Sequence, residues 1–218
     1  MLLGYELTTW IIPLLLCMIV HEVAHGLVAE RLGDDTARRA GRLTMNPVVH
    51  IDPLGSIVLP AMLWAMQASF LFGWAKPVPV DFGRLNRPKR DMGLVAAAGP
   101  VSNLLLAMAL AIVGRVCMEA FPEGQVRLWL MQNIINGIQL SLVIGIFNLL
   151  PILPLDGGRI LVAILPLKYA IRLQETEKYG FLILFGVILL SQISGLNVIG
   201  WFIGALYPFF AKIVSLLL

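Results

Sequence analysis

The sequence predicts an all-α polytopic membrane protein: a helical bundle of about five spans, one re-entrant apolar element and short strands on the cytoplasmic side. Three observations carry this expectation. Of 218 residues, 59% are hydrophobic and 13% charged, against about 45–50% and about 25% in soluble domains. Apolar runs long enough to cross a bilayer recur along the chain. The basic residues gather in a few loops between those runs. The length suits a single integral-membrane domain, 1–218, with no room for a sizeable soluble module beside it. The net charge of +3 is read as cytoplasmic loop charge and not as a nucleic-acid surface. Cys17 and Cys117 both fall in apolar segments, which excludes a disulfide framework.

Leu7 to Ala29 is the first expected span; Pro13 within it is tolerable in a bundle. The run carries a metal motif and lacks a basic start, so it is not expected to be a removable signal peptide. Glu30 to Asp52 is a polar loop with Arg31, Arg38, Arg39 and Arg42, in which Gly41 to Pro47 reads as a short strand ending in a turn. Leu54 to Phe72 is apolar but broken by Gly55 and Pro60. A second basic loop, Gly73 to Asp91, follows. Gly93 to Met118 and Leu128 to Leu150 read as spans, the latter running into the proline-broken Pro151-Ile152-Leu153-Pro154-Leu155-Asp156. Tyr179 to Ser191 and Val198 to Leu217 complete the count as a closing hairpin.

Arginine and lysine set the expected orientation. Both early loops are basic and so cytoplasmic, which makes Leu54 to Phe72 the re-entrant element. The N-terminus is then outside, and the last hairpin returns the C-terminus inside.

Within the first span lies His21-Glu22-Val23-Ala24-His25. Histidines four apart on a helix share a face and can grip one Zn²⁺. A glutamate between them can polarise a water at the metal, the pattern of a zinc metalloprotease. The competing reading is a packed histidine pair on a core helix; the cost of ionisable groups in hydrocarbon leans against it. A catalytic zinc takes a third protein ligand, for which Asp156, His50, Asp52 and Asp81 are the candidates. His21 lies roughly 21 Å along its helix, in the cytoplasmic half of the bilayer. Asp156 follows an inward-running span at similar depth, so the two stretches can meet. An ordinary helix N-cap is the alternative for Asp156.

At these residues the sequence resembles a known family. HEVAH in an apolar helix, followed by Asn148, Pro151 and Leu155-Asp156-Gly157, is similar to the site-2 protease family of intramembrane zinc metalloproteases, peptidase family M50. Gly41 to Pro47 with His50, Gly73 to Val80, and Ala98-Gly99-Pro100 with Asn103 resemble its compact prokaryotic branch, without PDZ or CBS domains. One departure stands out: the family's second proline is replaced by Leu153, with Pro154 one place later. The resemblance implies His21, His25 and Asp156 as zinc ligands, Glu22 as general base and a transmembrane protein as substrate within the lipid bilayer of a prokaryotic cell membrane. Asn148 would bind substrate backbone or a developing oxyanion, or make a helix–helix hydrogen bond; Asn103 carries the same pair of readings. His50 covers the site or caps a turn. Cys17, one turn before His21, approaches the metal or is a small buried side chain.

Membrane helices hide their carbonyls in internal hydrogen bonds, so a substrate helix must unwind before cleavage. Strands around Leu43 and Val78 to Val80 are expected to hold the unwound segment by edge pairing. The alternative from another class is a membrane metal-binding protein or transporter without hydrolysis. Glu22 separates the two, because a pure metal site has no need of it, and a transporter would want polar residues through several helices.

Overall fold

Lipid gives helices no hydrophobic reason to associate, so small residues and polar contacts must bring them together. A computed structural model of the chain describes residues 2–66 and 73–217. Helix α1 (Leu2–Arg31) is followed by the single turn α2 (Thr36–Arg39), a 3₁₀ turn at Pro47–His50, and a π-helical turn at Pro53–Val58 that continues into α3 (Leu59–Ala65). Then come α4 (Pro88–Ala120), α5 (Gln125–Asn148), α6 (Asp156–Ile164), α7 (Leu167–Glu175), α8 (Gly180–Ser194) and α9 (Val198–Ser215).

Helix α4 is the hub, packing on α1, α5 and α6. Its buried face reads Ala96, Gly99, Asn103, Ala107, Ala111 and Gly114, steps of three and four residues that keep small side chains on one stripe. Val101, Leu105, Ile112 and Val116 are exposed on its outer side. That is the pattern expected where lipid, not water, is the solvent. Opposite it, α5 buries Gly137, Ser141 and Gly145. A Cβ on Gly145 would stand 3.3 Å from the Asn103 Cβ, which shows how closely α4 and α5 approach. Cys17 of α1 joins α5 through its Sγ, 3.0 Å from Ser141 Oγ and donating to the Gly137 carbonyl at 3.5 Å. Near the other end of α1, Asn136 donates to the Thr9 carbonyl at 2.8 Å.

Two expectations are corrected here. Among the described residues four helices, not about five, are long and apolar enough to cross a membrane: α1 over Gly4–Arg31, α4, α5 and α9. The run Tyr179 to Ser191, expected as a span, forms α8, which has 15 residues and spans about 22 Å, short of the roughly 30 Å hydrocarbon core. Gly195, at φ 71°, ends it in the left-handed conformation. The described part of the expected re-entrant element is helical over Pro53–Val58 and Leu59–Ala65, about 20 Å and too short to cross; residues 67–72 of that expectation lie outside the described residues.

The second correction concerns strands: none forms among the described residues. The stretch around Leu43 is a turn, and residues 73–81 run as an extended strap without a ladder. Pro77 and Pro79 have no N–H to give one. The strap is instead pinned group by group. Trp74 N–H donates to the Gly55 carbonyl at 3.2 Å and Lys76 N–H to the His50 carbonyl at 2.9 Å. Arg42 donates to the Lys76 carbonyl at 2.7 Å. At its end, Asp81 N–H donates to the buried Asp34 carboxylate at 2.7 Å.

Burial alone would push the Asp34 carboxyl up, but hydrogen bonds from Thr36 and Asp81 and the charge of Arg84 outweigh it and hold it below the usual range. A carboxyl held below its unfolded value stabilises the fold above about pH 4 and loses that contribution as pH falls through its folded value. Deuterium exchange of the strap amides in detergent is therefore expected to quicken as pH drops from 6 towards 3, once the intrinsic pH dependence of exchange is subtracted. Asp34→Ala is expected to cost about 1.5–3 kcal/mol by thermal unfolding at neutral pH.

Candidate metal centre

The apolar, uninterrupted pattern around HEVAH keeps α1 helical through the motif, so His21 and His25 fall one turn apart with their ring centroids 4.7 Å apart and nearly perpendicular. Asp156 enters from the first turn of α6. Its Oδ2 lies 3.2 Å from His21 Nε2 and its Oδ1 3.4 Å from His25 Nε2. The three donor atoms lie within 4.8 Å of one another. His21 and Asp156 are buried.

Asp156 is not the cap of its helix; Leu155 occupies that place and makes no side-chain cap. Gly157 and Gly158 matter here for space. A Cβ on Gly157 would collide with the Leu149 carbonyl, and one on Gly158 would lie 2.6 Å from Leu153 N. Without side chains, the start of α6 can fold back against the end of α5 and bring the carboxylate to the imidazoles.

Several features fit a metal ion. Two nitrogens and a carboxylate oxygen are a zinc donor set. His25 Nδ1–H donates to the Val95 carbonyl at 2.7 Å. For a neutral ring this leaves a lone pair on Nε2, facing a carboxylate oxygen, and two acceptors so placed need a cation between them. Asp156 Oδ2 is buried without a hydrogen-bond partner. Finally, Gly99 of α4 leaves room beside the rings: a Cβ there would stand 2.5 Å from His21 Cε1 and 2.5 Å from His25 Nε2. Neither the Val95 carbonyl nor the Gly99 clearance was singled out in the sequence, although Gly99 itself lies in the Ala98-Gly99-Pro100 stretch that was and Val95 stands one turn before it.

A cavity of about 700 Å³ opens on this centre. Its walls come from α1, the strap, α4, α5, α6 and α8, and are largely apolar, with Met18, Val95, Phe147, Phe181 and Leu184 among them. Glu22 lines it, and its Oε2 accepts from Val78 N–H at 2.7 Å. Asn148 lines it too, and its Nδ2 donates along its own helix to the Ile144 carbonyl at 3.0 Å. Arg159, beside Glu177 at 2.6 Å and 4.8 Å from the Phe82 ring centroid, borders the same space.

The other candidates lie elsewhere. His50 Nε2 sits 2.9 Å from the Thr44 carbonyl and closes a turn. Asp52 caps Pro53–Val58 through the Leu54 and Gly55 amides, and Asp81 caps the 3₁₀ turn Phe82–Arg84 through Gly83 N–H. Cys17 belongs to the α1–α5 contact and not to the metal centre.

Comparison with known proteins agrees in kind. The sequence model of Peptidase family M50 matches residues 124–191, a stretch that holds Asn148 and Asp156. The chain is 39% identical over 180 residues to YwhC of Bacillus subtilis, named as a candidate zinc metalloprotease, covering 79% of this chain and 76% of that one. It is 30% identical over 196 residues to Rip2 of Mycolicibacterium smegmatis, named likewise, covering 90% and 70%. It is 29% identical over 175 residues to stage IV sporulation protein FB of Bacillus subtilis, covering 78% and 57%. No solved structure matches.

The clearance at Gly99 gives a direct test. In an ordinary helix, alanine in place of glycine is worth up to about 1 kcal/mol. Gly99→Ala is instead expected to lower zinc content, measured by metal analysis of the purified chain, while leaving the metal-free protein no less stable to heat.

Proposed function

The chain belongs to peptidase family M50, it is a membrane zinc metalloprotease, and on that premise we propose that it is an endopeptidase cutting transmembrane protein substrates near the cytoplasmic side of the cell membrane. The observation that carries this reading is Glu22. A carboxylate between the two histidines opens on the same cavity as they do, which a metal store or transporter would not require.

In the proposed assignment His21, His25 and Asp156 hold the zinc. When bound, the ion supplies a Lewis acid that polarises the scissile carbonyl and makes a water acidic. Glu22 is the general base. Val78 N–H fixes one of its oxygens, leaving the other to take the proton of the attacking water and pass it to the departing amide nitrogen as the C–N bond breaks. Asn148 spends one amide proton on the Ile144 carbonyl and has a second with which to hold a substrate carbonyl.

The walls support this substrate class. Apolar side chains from α1, α5 and α8 surround a small polar floor, so an apolar segment can enter if its backbone is unwound at the metal. The strap is not a free strand edge for it. The Lys76 carbonyl is held by Arg42, and the Lys76 and Val78 amides by His50 and Glu22.

Glu22→Gln in proteoliposomes is expected to retain zinc and to cut a single-span helical substrate about 10²- to 10⁴-fold more slowly. Full cleavage by the zinc-loaded variant would remove Glu22 from its role. A wild-type chain that binds zinc but cleaves no such substrate would refute the proposed substrate class.

A further inference from the structure

Helix α4 supplies no ligand, yet Val95, Gly99 and Asn103 stand at intervals of four and present one face to both imidazoles. The first accepts from His25 and the second clears space for the rings. Asn103 is wholly buried, and its Nδ2 lies 3.3 Å from His21 Nδ1 while its Oδ1 has no hydrogen-bond partner. In that orientation the amide donates to Nδ1, and a neutral His21 carries its proton on Nε2, the atom aimed at Asp156. A metal ligand needs the opposite tautomer, with the proton on Nδ1 and a lone pair on Nε2. The two ends of the amide are nearly the same size, so a half-turn of the group exchanges them and sets the unused acceptor against Nδ1.

We infer that Asn103 is a positioning residue for the metal centre: its side-chain carbonyl accepts the Nδ1–H of His21 and so fixes the tautomer and ring plane that present Nε2 to the ion. His25 receives the equivalent support from the Val95 main chain, so both rings are held from α4 through the nitrogen that does not face Asp156. Outer partners of this kind are worth about 10- to 100-fold in metal affinity. The inference rests on the metalloprotease reading and adds to it a residue that touches neither substrate nor metal.

Zinc dissociation constants of the full chain in detergent, measured by chelator competition, test it with Asn103→Leu and Asn103→Asp. Loss of the acceptor in Asn103→Leu is expected to weaken zinc binding about 10- to 100-fold. Asn103→Asp, which keeps and strengthens the acceptor, is expected to bind within about threefold of wild type or more tightly. A merely interhelical asparagine predicts the reverse order, because leucine suits a bundle interior and an unpaired buried carboxylate does not. Unchanged affinity in Asn103→Leu, or Asn103→Asp as the weaker of the two, would overturn the inference while a zinc-binding wild type left the metalloprotease reading standing. A wild type that holds no zinc would instead strike at that reading and take the inference with it. Should Asn103→Leu fail to fold, the aspartate variant decides alone, with binding more than tenfold weaker counting against.

Discussion

Everything in this fold answers to one requirement: two imidazoles and a carboxylate, carried by helices far apart in the sequence, must meet where unpaired charge is expensive. Nothing in lipid pulls those helices together by itself. The chain solves the approach with absences. Gly99 on α4 admits the imidazole edges, Gly157 and Gly158 let α6 turn back on α5, and Gly145 lets α5 settle on Asn103. Polar contacts join α1 to α5, as at Cys17 with Ser141 and Asn136 with Thr9, and α1 to α4 at the two imidazoles. Shape brings the elements together, and the few polar contacts fix their register.

The metal centre was largely legible in the sequence, because its signals are spacing and depth. Histidines four apart share a helical face whatever surrounds them, and Asp156 at the broken end of an inward span reaches the same level. The convergence of these three groups is what the structure displays. Less legible were features that depend on length or on the main chain. The run Tyr179 to Ser191 was counted as a span for its hydropathy although it has 13 residues, and its helix α8 reaches only 15. Alternation around Val78 resembles a strand, yet two prolines and a set of single anchoring bonds make it a strap. Asn103 was ambiguous because an asparagine in a span can bond to any neighbouring helix, and only the position of His21 Nδ1 identifies its partner.

The strap and the helices divide the cavity between them. Helices carry the metal-facing groups and share the apolar walls with the strap. The strap contributes a single amide to Glu22, and is itself tied down at both ends, to Gly55 and to Asp34. The carboxylate of Glu22 is thus oriented by a segment whose own path is set by its anchors to Gly55 and to Asp34.

The hydrogen bond from His25 to the Val95 carbonyl has an evolutionary corollary. Its acceptor is main chain, so any apolar residue that fits the buried position 95 and keeps the helix can still steady that ring. The companion support on His21 is written in a side chain, and a single codon change can erase it. Genetic drift therefore bears unequally on the two histidines, and the vulnerable half of the pair is the one that leans on Asn103.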